Sequence, residues 1–251
     1  MDYKLLKDHL GRIGYSVLDI FFPPHCYLCE TPLETHGYIC DDCKARFEKI
    51  TPPVCDRCGA PLSRPGRLCN NCVAGGREFF LARSYGFYSP DGTLAGAIKG
   101  LKYGQERALA GELGPLLNEG LTGELVDMAE AITYVPLRKK KLKERGFNQA
   151  RLLAESLSVE VDLPLVGALN KTRETAPQAE LGRAERLVNV RESFEPVRPI
   201  EVDRVLLVDD VFTTGATADE CSKALKEGGA ERVYVVTVGR SHSRDARRHL
   251  R

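Results

Sequence analysis

Eight of the nine cysteines fall between residues 26 and 72, and they come as four Cys-x-x-Cys pairs. Cys26/Cys29 and Cys40/Cys43 recur, displaced by 29 residues, as Cys55/Cys58 and Cys69/Cys72. Pro32-Leu33 returns in the same register as Pro61-Leu62, so the segment is an internal duplication. A two-residue gap turns both thiolates of a pair toward one ion, and a second pair completes a tetrahedron. The expectation is two closed four-cysteine Zn2+ sites, one per repeat. The spacing is also compatible with a cross-braced pairing of the first clip with the third. Four thiolates leave no open coordination position, so these ions are expected to be structural. A segment this short, with few large apolar residues, needs them in order to fold.

Disulfides are the competing use of so many cysteines, and compartment decides between the two. The first residues, MDYKLLKDHLGRIGYSVLDIFF, lack a secretory layout, because Asp2, Lys4, Lys7 and Asp8 come early and Asp19 interrupts the apolar stretch. No apolar run approaches the roughly twenty residues that span a bilayer. The chain is therefore expected in the reducing cytoplasm, where cysteines are more often metal ligands. Within 1–22, Leu6, Leu10, Ile13, Val17 and Phe21 recur at helical steps and predict a helix with one apolar face.

Net charge is +1, so overall basicity gives no argument for nucleic acid. Residues 23–73 balance six Lys or Arg against six Asp or Glu, which leaves the duplicated segment without an electrostatic footprint for phosphate. It reads equally well as a protein-contact or packing module.

After Val73-Ala74-Gly75-Gly76, which reads as a linker, the pattern changes to alternating strands and helices. Strands are predicted at 79–88, 131–137, 165–169, 204–209 and 232–238. Helices are predicted from the stripe Leu94, Ile98 and Leu101, from Leu109, Leu113 and Leu116, and over 148–158 and 217–227. Gly228-Gly229 stops the last of them. Short apolar strands separated by helices describe an α/β domain with a mostly parallel sheet covered on both faces. The expected organisation is a helix over 1–22, a duplicated zinc segment over 23–73, the α/β domain over 77–240 and a basic tail over 241–251.

Ligands of such sheets sit beyond the carboxyl ends of the strands. Asp209 and Asp210 occupy that place after an apolar strand, followed by Thr213-Thr214-Gly215-Ala216-Thr217 and a helix. Gly215 allows a turn that presents successive backbone N–H groups, and the helix start adds its positive end, which together make a phosphate cradle. The threonine hydroxyls supply further donors. Ionised aspartates only accept hydrogen bonds, so they suit a sugar diol better than a phosphate. The stretch describes a ribose 5-phosphate site, against a lesser alternative in which both aspartates bind Mg2+ directly.

Residues 205–217 resemble the 5-phosphoribosyl 1-pyrophosphate (PRPP) motif of type I phosphoribosyltransferases. Val135-Pro136-Leu137, the basic run from Arg138 to Lys143 and Arg145-Gly146-Phe147-Asn148-Gln149 resemble the ComF family of competence-associated, phosphoribosyltransferase-like proteins. Arg173, Gln178, Leu181, Arg186, Asn189 and Phe194 match that family's hood segment, and the paired cysteine clips complete the likeness. Glu192 stands where a small residue or glycine is expected.

The resemblance implies a type I phosphoribosyltransferase fold behind a double zinc ribbon, binding of PRPP with Mg2+, and a role in DNA uptake. It also points to Arg138 and Lys139 at the pyrophosphate and to Arg173, Arg183 and Arg186 in a hood over the site. No residue stands out as a catalytic base, and Cys221 falls on the apolar face of its helix, which marks it as core. Three readings follow: a transferase moving phosphoribose onto an acceptor with release of pyrophosphate, a non-catalytic PRPP sensor controlling DNA-processing partners, and a zinc-ribbon binder of single-stranded DNA.

Overall fold

The computed structural model describes residues 24–33, 37–63, 67–104, 106–121, 128–172, 193–197 and 199–241. The helix expected over 1–22, the hood residues from 173 to 192 and the tail beyond 241 lie outside these. The chain divides into two compact units, Met1–Arg46 and Phe47–Arg251.

The first unit holds one cysteine repeat. His25 and Pro32 form an antiparallel bridge, and the turn between them is closed by Cys26 N–H donating to Thr31 O (2.8 Å) and Glu30 N–H to Cys26 O (2.8 Å). Helix α1 (Asp41–Ala45) starts directly after Cys40. The second unit opens with the same knuckle, bond for bond. Val54 bridges Pro61, Cys55 N–H donates to Ala60 O (2.7 Å), Gly59 N–H donates to Cys55 O (2.9 Å), and α2 (Asn70–Ala74) follows Cys69. The turn demands a left-handed residue in both copies: Glu30 at φ 61° and Gly59 at φ 69°. Only the second copy uses the missing side chain, since a Cβ on Gly59 would lie 2.7 Å from Ala82 O.

The α/β elements follow in order as β1 (Leu81–Tyr88), α3 (Thr93–Tyr103), α4 (Leu109–Gly120), β2 (Ala131–Tyr134), α5 (Lys139–Arg145) and α6 (Gln149–Val161), then β3 (Leu169–Lys171), β4 (Phe194–Pro196), β5 (Arg204–Phe212), α7 (Ala216–Glu227) and β6 (Arg232–Ser241). Four strands form a sheet in the order β1-β6-β5-β2 with every neighbour parallel. Val205 to Val208 and Val233 to Val236 are all buried, so both faces are covered, as parallel pairing requires. One face packs Val205, Leu207, Val233 and Val235 against Cys221, Ala224 and Leu225 of α7. Cys221 is fully buried, which agrees with its assignment to the core.

Two predicted strands differ. The strand expected over 131–137 ends at Tyr134, because Pro136 has no N–H to donate to a ladder. The strand expected over 165–169 splits. Leu165 makes only an isolated parallel bridge to Ile132 beside β2, and after Gly167 the chain turns into β3, which pairs antiparallel with β4 in a separate two-stranded sheet. The basic run, given no element from the sequence, forms α5, closed by Gly146 at φ 76°.

The outer edge of β1 is covered rather than bare. Phe87 N–H donates to Glu48 O (2.8 Å), Ile50 N–H to Tyr85 O (2.9 Å), and Ala82 N–H to Arg57 O (2.7 Å) of the second knuckle. Gly59 sits at that junction. Gly59→Ala adds a backbone collision to a left-handed strain and is expected to cost about 1–3 kcal/mol. The equivalent Glu30→Gly relieves strain and is expected to stabilise its knuckle slightly, by about 1 kcal/mol or less. Urea midpoints of the two variants, moving in opposite directions, check both.

Candidate functional site

Each repeat gathers its own four sulfurs, so the clips pair sequentially and not across. Cys26, Cys29, Cys40 and Cys43 form one group and Cys55, Cys58, Cys69 and Cys72 the other, with all ligand atoms of a group within 4.8 Å of one another. A tetrahedron with Zn–S bonds of about 2.3 Å has edges of about 3.8 Å. Cys29 Sγ and Cys40 Sγ are 3.6 Å apart, and Cys58 Sγ and Cys69 Sγ are 3.7 Å apart. The donor set and its spacing therefore fit zinc.

The surroundings fit as well. Cys40 N–H donates to Cys26 Sγ and Cys69 N–H to Cys55 Sγ, both at 3.3 Å. Four thiolates around one Zn2+ leave two negative charges, and each group has a guanidinium to offset them. In the first, Arg46 Nη2 lies 3.1 Å from Cys43 Sγ. In the second, Arg240 Nη2 lies 3.5 Å from Cys58 Sγ, while Nη1 donates to Cys58 O at 2.6 Å.

The second site lies at the carboxyl end of β5. Pairing with β6 on one side and β2 on the other runs Asp209 and Asp210 out to that edge, where β5 is half-buried. Asp209 Oδ1 accepts from Asp210 N–H at 2.9 Å, and Asp210 Oδ1 pairs with Lys102 Nζ of α3 at 2.7 Å. The chain then turns through Thr213, Thr214 and Gly215 into α7. Gly215 caps that helix at φ 86°, and a Cβ there would lie 2.7 Å from the Phe212 ring, so no other residue fits the turn unstrained. Thr214 Oγ1 accepts from Ala216 N–H at 3.3 Å. Asp209, Thr213, Gly215 and Thr217 line one cleft. Of the predicted loop residues these four meet in the cleft, whereas Asp210 turns to Lys102 and Thr214 to the Ala216 N–H.

The flanking basic residues divide. Arg138 is the N-cap of α5 and its charge, with that of Lys141, acts on Lys171. Lys139 is exposed at the start of α5. Arg173, Arg183 and Arg186 lie outside the described residues.

Comparison with known proteins now has a geometry to meet. Residues 17–73 match the double zinc ribbon domain, and residues 143–249 match the phosphoribosyl transferase domain. Competence protein F of Haemophilus influenzae is 34% identical over 54% of this chain and 61% of its own length. DNA utilization protein YhgH of Escherichia coli is 32% identical over 59% of this chain and 66% of its own. Competence protein ComFC of Bacillus subtilis is 34% identical over 43% of each. The chain belongs to the ComF family. The alignments span less than two thirds of these relatives' lengths. Among the described residues of this ComF-family protein, no helix is long and apolar enough to cross a membrane.

Three residues of the site escape a reading of the sequence. Lys102 follows Ile98 by one helical turn and so falls on the buried stripe of α3. A charge there is the one signal that could have marked it. Burial works against its ammonium, but the adjacent Asp210 outweighs this and raises its pKa. Lys171, on β3, sits over the Phe194 ring at 5.1 Å. Burial holds its pKa below the ordinary value, the charges of Lys141 and Arg138 act in the same sense, and Asp209 acts against them. Arg77 pairs with Asp219 of α7 at 2.6 Å and donates to Thr214 O at 3.1 Å. Nothing in its sequence neighbourhood signals that contact.

Asp209 carries the largest electrostatic cost in the cleft. Burial, then the neighbouring Asp210 carboxylate, push its pKa up to about 7, against the pull of Lys102. An unfolded aspartate titrates near 4, so between about pH 4 and 7 the native state binds the extra proton. Stability contributed by Asp209 is therefore lost as pH rises through that window. Asp209→Asn is expected to be more stable than the parent at pH 8, with the difference shrinking as pH falls and gone below about pH 4, as paired urea titrations would show.

Proposed function

We propose that the chain binds PRPP at the carboxyl end of β5, with the ribose diol on Asp209 and Asp210 and the 5-phosphate in the loop Thr213, Thr214, Gly215, Ala216 and Thr217. The observation that carries this reading is the left-handed Gly215 joining a strand with two terminal carboxylates to the first turn of α7. That arrangement supplies acceptors for hydroxyls and donors for a phosphate within one turn of chain.

Mg2+ finds no three-ligand carboxylate site among the described residues, where only the cysteine groups qualify. Lys102 already holds Asp210, so direct chelation by both aspartates is disfavoured. The cation is better carried in on the ligand's diphosphate, where it would offset negative charge. Arg138 is suited to the pyrophosphate, standing at the mouth of the loop that follows β2. Asn148 fixes that loop, its Nδ2 donating to Val135 O at 3.0 Å.

If phosphoribose is transferred, an acceptor's lone pair forms a bond to the anomeric carbon. The bond from that carbon to the pyrophosphate oxygen breaks, its electron pair leaves with pyrophosphate, and the acceptor loses a proton to solvent. The chain's contribution to such a step is electrostatic: Arg138, Lys171 and the loop amides stabilise charge while the aspartates orient the ribose. The names of the relatives, competence and DNA utilization proteins, support a role in the uptake or use of DNA. Nine free thiols, eight of them in metal-binding groups, support a reducing cytoplasmic setting.

Calorimetric titration of PRPP with Mg2+ into the zinc-loaded protein tests the binding. Saturable binding is expected, weakened at least a hundredfold in the Asp209→Asn/Asp210→Asn double variant, which corresponds to about 3 kcal/mol. A folded, zinc-replete protein that gives no heat with PRPP would sink the reading. Pyrophosphate release on addition of nucleobases or amines then separates transfer from binding without turnover.

A further inference from the structure

The second knuckle touches the candidate site through two arginines. Arg240 of β6 is 8% exposed, yet among the described residues no carboxylate pairs with its guanidinium. It donates to Cys58 O at 2.6 Å, approaches Cys58 Sγ at 3.5 Å, and lies over the Phe212 ring at 4.4 Å. Phe212 is the last residue of β5, and its ring is what a Cβ on Gly215 would strike. On the other side of the loop, Arg77 holds Thr214 O and Asp219, and the charge of Cys72 acts on the same guanidinium. Its Nε is buried and finds no hydrogen-bond partner among the described residues. Phe79 joins the two arms, packing edge-on to Phe212 with centroids 5.9 Å apart and lying under Arg77 at 5.8 Å.

We propose that Arg240 and Arg77 are positioning residues through which zinc at Cys55, Cys58, Cys69 and Cys72 sets the shape of the loop from Thr213 to Thr217. A buried guanidinium stays put only while its donors are satisfied. For Arg240 the partners are a carbonyl and a sulfur of a knuckle that has little apolar core of its own and keeps its fold by holding metal. Loss of zinc takes away both partners, frees the cation from the Phe212 face, and removes the wall against which Gly215 turns. The link runs both ways, because a ligand that orders the loop must favour the metal-bound knuckle by the same factor. The loop's ligand is the PRPP of the preceding section, so the affinity half of this inference rests on that reading and the conformational half does not.

Hydrogen exchange on the full-length protein decides it, read for 213–219, for 53–62 and for β2 as a reference, beside zinc content and PRPP titration. Arg240→Met keeps the packing on Phe212 but removes the donors. It is expected to retain two zinc ions per chain, to speed exchange in 213–219 tenfold or more while β2 stays protected, and to weaken PRPP about tenfold. Cys69→Ser is expected to lose one zinc and open the same loop. An unchanged loop in Arg240→Met, or in Cys69→Ser with one zinc lost, overturns the proposal. So does a rise in β2 exchange equal to that of the loop, which would make the knuckle a general stabiliser. Absence of PRPP binding in the parent protein would refute the ligand reading alone, since the exchange measurement still reports the coupling.

Discussion

β5 is paired on both sides and buried on both faces, and almost everything at the candidate site follows from that. A strand so placed cannot slip, because a one-residue shift would turn Leu206 and Val208 to the opposite face and break two parallel ladders at once. The fixed register delivers Asp209 and Asp210 to the sheet's edge in a defined order. Asp209 is desolvated beside the end of β6, and Asp210 points to Lys102. Two adjacent carboxylates so near each other would repel strongly. The half-buried Lys102 on α3 offsets one of them, and the residual strain shows in the raised pKa of Asp209.

That strain falls on one carboxylate at the carboxyl end of the strand. An apolar pair in place of the two aspartates would suit the strand better, and the cost of the acids is tolerated at the one edge where a ligand can reach them. The basic groups around them, Lys102, Lys171 and Arg138, come from three different elements.

Much of this was readable before any coordinate was known. The duplication at 29 residues appears in space as matching hydrogen bonds, because a knuckle is a local structure whose turns are written in consecutive residues. The strand cores and α7 were legible for the same reason: their periodicity is local. What escaped reading depends on distant partners. Leu165 and Val166 have strand-like composition, yet β2 is too short beyond Ile132 to offer them a ladder, so the chain breaks at Gly167 and pairs with β4 instead. Arg138 to Arg145 carries a basic run with no apolar stripe to mark a helix. It coils into α5 because Leu142 N–H reaches Arg138 O and Arg145 finds the Tyr103 ring at 5.0 Å. Arg77 and Arg240 looked like any other surface arginine, since their partners lie more than a hundred residues away.

The two knuckles show what duplication leaves free to diverge. Each needs a guanidinium near its thiolates, and the first supplies its own from Arg46, three residues after Cys43. The second has no such arginine at the equivalent place, where Gly75 stands, and takes Arg240 from β6 instead. Glu30 and Gly59 differ in the same direction. The first copy tolerates a side chain at its left-handed turn, whereas the second has given it up to let β1 approach. A knuckle that is electrostatically complete can act as a separate module. One that borrows both its charge compensation and its packing from the α/β domain has become part of that domain.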